Sequence, residues 1–123
     1  MRTIGLVKVD GRYELNFNPY TPSSLHVTLD HYRVVRCPVM GYQYYPQQEQ
    51  LLVGENLLLQ HDKANEYSTH AVKIVRVSNG ACIGYVPDCI SQRVQEGRLR
   101  IKKACKLVMV GDALIPYVRF ELN

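Results

Sequence analysis

The stretch from residue 57 to residue 88 constrains the fold most, because it contains three predicted strands in succession. Residues 57–60 are mostly apolar, and a polar segment, residues 61–70, follows them. Residues 71–77 alternate apolar and charged positions, which is typical of a half-buried strand. Residues 81–86 return as its partner strand. A chain with this pattern is expected to fold mainly as β-sheet.

Two dipeptides predict tight hairpin turns, because their residues tolerate positive φ. Asn79-Gly80 joins the second and third of these strands by a predicted two-residue turn. Asp10-Gly11 predicts an earlier hairpin between residues 3–9 and residues 13–17. Residues 25–29 alternate again and predict one more strand.

A short helix is predicted for residues 88–97. Pro87 suits the first turn of such a helix, where its missing N–H costs nothing. Ile90 and Val94 lie four residues apart, as expected for the apolar face of a short amphipathic helix. Gly97 is well suited to the position that follows the last helical turn.

The remaining segments complete a small antiparallel sheet. Residues 32–45 are predicted as a strand with a bulge or a close backbone approach at Gly41. Residues 98–110 begin with alternation and end as an apolar run, and residues 113–120 close the chain as a strand. Pro116 interrupts that strand and predicts an edge or a bulge. The predicted fold class is therefore mainly β with one short helix, a small OB-like antiparallel β-barrel.

Composition is that of an ordinary globular protein, with 46% apolar and 21% charged residues in 123. The net charge of +4 is mildly basic and falls short of a strong nucleic-acid signature. No apolar run is long enough to span a membrane, and the N-terminus lacks the apolar core of a signal peptide. We expect a cytoplasmic protein, or a nuclear one if its source is eukaryotic, without a membrane partner.

Residue patterns for catalysis or metal binding are absent from the sequence. The four cysteines match no zinc template, and they are interpreted as small buried apolar groups. No zinc-protease, nucleophile-elbow, P-loop or dinucleotide pattern occurs. We therefore expect no enzyme activity, no cofactor and no metal.

Several of these segments carry a recognisable pattern of residues. The loop contains Asp62, Asn65, Tyr67 and Ala71, the third strand reads Ile83-Gly84-Tyr85-Val86-Pro87, and an earlier segment reads Gly41-Tyr42-Gln43-Tyr44-Tyr45. These motifs resemble the HIRAN domain family, whose patterns are D-P-x-N-x-Y-D-x-x-A, I-G-Y-[LV]-P and G-x-R-Y-Y. The resemblance covers residues 34–120 and implies a modified OB-like barrel. We predict a single domain, residues 1–123, with an additional N-terminal hairpin region in residues 1–31 and a HIRAN-like core in residues 32–120.

The resemblance also implies a function. In the family, the loop and the G-x-R-Y-Y segment form a pocket that takes the 3′ end of single-stranded DNA. It implies a DNA-binding module of DNA repair or processing that recognises 3′-hydroxyl ends, and any hydrolase activity would belong to a partner helicase or nuclease. Two departures stand at this pocket: Gln43 replaces an arginine that would pair with phosphate, and Ser68 replaces an acidic residue that would accept from the hydroxyl.

Nine residues are candidates for nucleic-acid binding. Tyr44 and Tyr45 are neighbours and would point to opposite faces of a strand, so at most one should line the site. The position in the family motif implies that this one is Tyr44. Aromatic rings can stack a base, and a basic row can follow a phosphate backbone. The candidates are Gln43, Tyr44, Tyr67, Ser68, His70, Tyr85, Arg98, Arg100 and Lys102.

Several of these residues, and others of the loop, also have a purely structural interpretation. Tyrosines are good strand formers that pack with one edge wet, and Asp62 and Asn65 can cap turns. The row Arg98, Arg100 and Lys102, predicted on one strand face, could be a solvated or protected edge. The alternative functions are a protein-interaction or structural module that has lost the DNA-end pocket, and a general single-strand or RNA binder that uses the basic row. Self-association through residues 1–31 is a further possibility.

Overall fold

The computed structural model describes residues 5–17, 32–111 and 113–123. The strand predicted for residues 25–29 lies outside these described residues. A short 3-10 helix, Tyr42–Tyr44, follows the third strand. The other elements are β1 (Gly5–Val9), β2 (Arg12–Asn16), β3 (Val34–Pro38), β4 (Asn56–His61), β5 (Val72–Arg76), β6 (Cys82–Tyr85), α1 (Asp88–Gln95), β7 (Ala104–Val108) and β8 (Tyr117–Glu121).

All eight strands belong to one sheet, in the order β1-β2-β3-β8-β7-β4-β5-β6. This confirms a mainly β fold with one α-helix. The sheet is mixed, because β2 and β3 run parallel, so the prediction of a wholly antiparallel sheet is wrong at this pair. No ladder joins β3 to β6 in the described part of the chain; an isolated bridge between Met40 and Tyr85 links their ends. The predicted closed barrel is therefore not confirmed.

The core lies on one face of the curled sheet, under α1. Alternate residues of each strand enter it, for example Leu57 and Leu59 of β4 and Val118 and Phe120 of β8. Ile90 of α1 is fully buried against them. Removing side chains of this size from water stabilises the fold by about 1.5–3 kcal/mol each.

The first hairpin has the predicted turn. Asp10 and Gly11 have φ values of 51° and 79°, and Val9 pairs with Arg12 across them. Leu15 of β2 is fully buried and lies beside β3. The hairpin thus extends the main sheet instead of standing apart from it.

The second predicted turn, at Asn79-Gly80, is wrong in its length. The N–H of Arg76 donates to the carbonyl of Ala81 over 2.9 Å, which leaves a four-residue loop, residues 77–80. Only Gly80 has positive φ there, 74°, and its N–H donates back to the carbonyl of Arg76 over 2.8 Å. The β5–β6 register also shifts by one residue between Ile74 and Val75.

The strand predicted for residues 32–45 ends early, at Pro38. Gly41 adopts φ 72° immediately before the 3-10 helix, so it belongs to a turn and not to a bulge. Pro116 precedes β8, which lies between β3 and β7 and is no edge strand. The carbonyl of Pro116 accepts a hydrogen bond from the N–H of Val39 over 3.0 Å.

The basic segment, residues 98–103, is not a strand. After α1, Gly97 adopts φ 74°, and the N–H groups of Arg98 and Leu99 both donate to the carbonyl of Arg93. This helix-ending turn carries the chain around the end of α1, and Ile101 forms only an isolated bridge. Regular pairing resumes at β7, between β4 and β8.

Candidate functional site

The loop between β4 and β5, residues 61–70, folds around one asparagine. Oδ1 of Asn65 accepts hydrogen bonds from the N–H groups of Tyr67 and Ser68, each over 2.9 Å. This confirms the turn-capping interpretation of Asn65. The ring of Tyr67 is 94% exposed at the tip of this loop. Because the backbone beneath the ring is held by Asn65, the aromatic face is presented to solvent from a fixed base.

The hydroxyl of Tyr85 ties β6 to this loop. It donates to Oδ2 of Asp62 over 2.7 Å, and this bond is the main reason that the pKa of Asp62 lies below its ordinary 3.8. Desolvation opposes the shift, and Lys73 adds to it. Lys73 pairs directly with Tyr85 in the β5–β6 ladder and so brings a cation to the loop. Sequence reasoning did not select Lys73, because its position beside Asp62 depends on that register.

Tyr45, the residue that follows the 3-10 helix, contacts the same tyrosine. The ring of Tyr45 lies 6.0 Å from that of Tyr85, centroid to centroid, at 57°. Tyr44 points away and is 76% exposed, and Gln43 is also exposed. Tyr44, the candidate of the two, is thus the exposed one. The expectation that the two tyrosines are neighbours in a strand is wrong, since Tyr44 ends the 3-10 helix and Tyr45 follows it.

The close approach that brings these elements together occurs at Gly84. A Cβ atom on Gly84 would lie 2.5 Å from Cγ1 of Val39 and 2.6 Å from the carbonyl oxygen of Met40. Its φ of 147° is also one that side chains rarely adopt. Gly84 therefore allows the Met40–Tyr85 bridge, in which the N–H of each residue donates to the carbonyl of the other over 2.8 and 2.9 Å.

The start of α1 supplies a carboxylate beside the loop. Oγ of Ser68 donates to Oδ1 of Asp88 over 3.1 Å and accepts from the N–H of His70 over 3.2 Å. A shallow cavity of about 480 Å³ opens here between residues 65–70 of the loop and two residues of α1, Asp88 and Gln92. Sequence reasoning noted the missing acidic residue at Ser68, but it did not connect Ser68 with Asp88.

The three predicted basic residues lie away from this cavity and do not share a strand face. Arg98 forms an ion pair with Glu96 over 3.3 Å, and Lys102 forms one with Glu121 over 2.9 Å. Both pairs are exposed, so each stabilises the fold little. Arg100 is exposed and makes no side-chain hydrogen bond with the described residues.

The described residues contain no group of three or more metal-ligating side chains. Burial raises the pKa of the Cys37 thiol and raises that of Cys105 to about 12, so both stay protonated at neutral pH. Within the same described ranges, none of the helices has the length and apolar character needed to cross a membrane. The site described above is therefore one of aromatic rings, amides and carboxylates.

Comparison with solved structures identifies similar folds. The crystal structure of the HIRAN domain of human HLTF superposes with a TM-score of 0.55 at 19% identity, covering 73% of this chain and 74% of that one. A protein from Lactobacillus plantarum gives a TM-score of 0.50 at 19% identity, covering 75% of this chain and 93% of that one. No curated protein matches the chain.

The family assignment comes from the sequence as a whole. The HIRAN domain family model matches residues 32–107, which include β3 to β6, α1 and most of β7. This range contains the exposed Tyr44 and Tyr67, the Tyr85–Asp62 hydrogen bond and the Ser68–Asp88 hydrogen bond. The chain belongs to the HIRAN domain family, a family of nucleic-acid-binding modules.

Proposed function

We propose that this HIRAN domain binds the end of single-stranded DNA, preferably an end with a free 3′-hydroxyl, and that it does so in DNA repair or processing. The observation that carries the proposal is the placement of two exposed tyrosines, Tyr44 and Tyr67, on segments that both contact Tyr85. A terminal nucleotide offers a base face, a hydroxyl and a phosphate, and the site has a group for each.

The two tyrosines supply the base contacts. The exposure of an aromatic ring to water is unfavourable in the free protein. A base that stacks on the ring removes part of this apolar surface from water. Stacking on an aromatic side chain contributes about 1–3 kcal/mol per base and tolerates any base. Tyr67 at the loop tip and Tyr44 at the end of the 3-10 helix would hold the terminal and penultimate bases, while Tyr85 fixes the spacing of their segments.

Asp88 supplies the acceptor for the terminal hydroxyl. Asp88 is exposed and lines the cavity, and its Oδ1 accepts a hydrogen bond from Ser68. A hydroxyl that donates to a carboxylate forms a stronger hydrogen bond than one to a neutral oxygen. Asp88 would thereby perform the role of the acidic residue that Ser68 replaces. The same carboxylate repels a 3′-phosphate and so favours a free hydroxyl.

Side chains without a permanent charge would contact the phosphate. The amide of Gln43 is exposed beside Tyr44 and can donate one hydrogen bond, but it brings no charge. His70 lies at the cavity and is the candidate for a second contact. The end site should therefore bind weakly at each phosphate and rely on stacking and on the hydroxyl.

Single substitutions test the stacking contacts. Tyr44→Ala and Tyr67→Ala should each weaken binding of a labelled single strand by roughly 5- to 150-fold in fluorescence anisotropy, the range that one stacked base contributes. Tyr13→Ala is the matched control, since Tyr13 is an exposed tyrosine of the first hairpin at 57%. All three variants should melt within about 2 °C of the wild type. If both site variants bind as tightly as the wild type, the end-binding function is wrong.

The proposed role in repair or processing requires an enzyme partner. Chemistry on the captured end would come from a helicase or nuclease, and this chain would deliver the end to it. RNA is the competing ligand, and a ribose-ended strand measured in parallel distinguishes the two, because a 2′-hydroxyl must also be accommodated at the cavity.

A further inference from the structure

A groove whose charged side chains are all basic runs beside α1, at the end of the helix opposite to the cavity. One part, about 520 Å³, lies between the start of the loop, the last turn of α1 and the segment leading to β7. A second part, about 550 Å³, adjoins it and reaches the start of β3. The two parts share Gly97, Leu99, Arg100 and Asn123, so they form one groove.

The side-chain charges of this groove have one sign. Among the described residues that line it, no aspartate or glutamate occurs. Glu96 precedes Gly97 in the chain and forms an ion pair with Arg98 over 3.3 Å, which offsets its charge. The basic side chains lining it are Arg33, His61, Lys63, Arg98, Arg100 and Lys103.

Backbone hydrogen bonds fix the groove where distant segments meet. The N–H of Leu122 donates to the carbonyl of Arg33 over 2.7 Å, which places Arg33 beside the end of β8. The carbonyl of Lys103 accepts from the N–H of Leu59 in β4 over 2.9 Å. Leu99 and Val72 form part of an apolar floor beneath the charges. A cationic rim over an apolar floor fits a chain of phosphates whose bases or sugars face the floor.

The surface of α1 connects this groove to the end site. Asp88 and Gln92 line the cavity, and Gln95 lines the groove. Positions 88, 92 and 95 are spaced i, i+4 and i+7, so they lie on one face of the helix. The rise from Asp88 to Gln95 is about 10 Å, which corresponds to about three stacked nucleotides.

We propose that this basic groove holds the phosphodiester backbone of the captured strand, about three nucleotides away from its 3′ end. The inference rests on the proposed function for the location of that end. The end site supplies selectivity and few charges, and the groove supplies electrostatic affinity that does not depend on sequence. A strand that reaches both binds more tightly than its end alone.

Strand length and groove charge are varied together in the test. A dithymidine with a free 3′-hydroxyl should reach only the end site, whereas a twelve-residue oligothymidine should reach both. Arg100→Gln/Lys103→Gln should weaken binding of the longer strand by about tenfold at 0.1 M salt. It should also reduce the slope of log K against log salt by about 1.4, and leave the dithymidine affinity, measured by NMR titration, unchanged.

The matched control is Lys8→Gln/Lys106→Gln, which removes the same net charge from exposed positions outside the groove. It should weaken binding of the longer strand less than threefold. Lys63→Gln, on the opposite wall, gives an independent variant should the double substitution fail to fold, and it should lose affinity for the longer strand only. Circular-dichroism melting checks the fold of each variant.

Three results would overturn the groove assignment. The first is equal weakening of both strands, the second an equal loss in the control variant, and the third a longer strand that binds no more tightly than the dithymidine. Displacement of the longer strand by an oligoglutamate at similar concentration would assign the groove to an acidic protein segment instead. If the dithymidine binds without preference for its 3′-hydroxyl while the longer strand still loses affinity in the groove variants, the end-site function fails and the groove remains.

Discussion

Two polar regions flank α1, and they differ in how their side chains are used. In the loop of residues 61–70, Asn65 and Ser68 hydrogen-bond to neighbouring residues, and Asp62 accepts from Tyr85. In the segment of residues 98–103, Arg100 and Lys103 are exposed and make no side-chain hydrogen bond with the described residues. The loop is ordered by its own polar contacts, whereas the segment presents charge.

This difference separates the origins of selectivity and affinity. Hydrogen bonds fix the backbone of the loop at Tyr67 and hold Ser68 against Asp88 of α1, so a ligand loses little free energy in ordering them. Flexible exposed cations attract any phosphate chain and are screened by salt. We expect substitutions in the loop to change which ends bind, and substitutions in the segment to change how strongly every long strand binds.

Gly84→Ala is expected to have the largest effect, and it should disturb the loop region while leaving the basic segment intact. The new Cβ atom would clash with Val39 and with the backbone of Met40. Overpacking together with backbone strain should cost about 3 kcal/mol or more of unfolding free energy, measured by urea denaturation. Gly80→Ala is the matched control, because Gly80 also has positive φ, 74°, but open space around it. It should cost about 1 kcal/mol.

The functional consequence of Gly84→Ala should be local. Variant protein that remains folded should lose its preference for a free 3′-hydroxyl, since Tyr85 and the loop depend on this close approach. Its affinity for long strands should keep its salt dependence, because the basic segment does not contact Gly84. Unchanged stability would show that the bridge between Met40 and Tyr85 is not as close as described.

A smaller effect, on selectivity alone, is expected for Asp88→Asn. The neutral amide accepts a weaker hydrogen bond from a terminal hydroxyl and no longer repels a 3′-phosphate. The affinity ratio of 3′-hydroxyl to 3′-phosphate strands should fall about fivefold in anisotropy competition. Asp10→Asn, in the first hairpin turn, removes the same charge and should leave the ratio unchanged. A ratio that falls equally in both variants would remove Asp88 from the site.

The smallest effect is expected for Tyr85→Phe, which deletes one hydroxyl and keeps the ring contact with Tyr45. Without that donor the pKa of Asp62 should rise toward 3.8, as followed by carboxyl NMR. A carboxyl whose pKa is lowered by folding stabilises the protein above its unfolded value and loses this contribution as pH falls through the folded value. The wild type should therefore exceed the variant in urea midpoint at pH 7, and the difference should shrink below pH 3.8. A difference that is constant down to pH 2 would contradict the role of Asp62.

Local patterns predicted the parts of this site that depend on neighbours in sequence. The Asp10-Gly11 turn, α1 after Pro87 and the capping role of Asn65 all involve contacts within a few residues. The three strands in residues 57–88 follow from an apolar run, from the alternation of residues 71–77 and from the return segment after them.

Contacts between distant segments could not be predicted in this way. The Ser68–Asp88 bond joins residues twenty apart, and the Tyr85–Asp62 bond joins residues 23 apart. The Tyr85–Asp62 bond depends on the β5–β6 register, and the Ser68–Asp88 bond depends on where α1 starts. Alternation specifies neither. In the basic segment, residues 98–103, the alternation predicted a strand that the structure does not contain. The chain there wraps the end of α1 instead, and Leu99 is buried while Arg98 and Arg100 stay exposed.

End recognition is tested most directly by fluorescence anisotropy with one labelled oligonucleotide in three forms: with a free 3′-hydroxyl, with a 3′-phosphate, and circular. A site built from Tyr67, Ser68 and Asp88 predicts tightest binding to the free hydroxyl, weaker binding to the phosphate, and residual salt-sensitive binding to the circle through the basic groove. Equal binding to all three forms would contradict end recognition and leave the groove as the binding surface. No binding at low salt would favour a protein-interaction module.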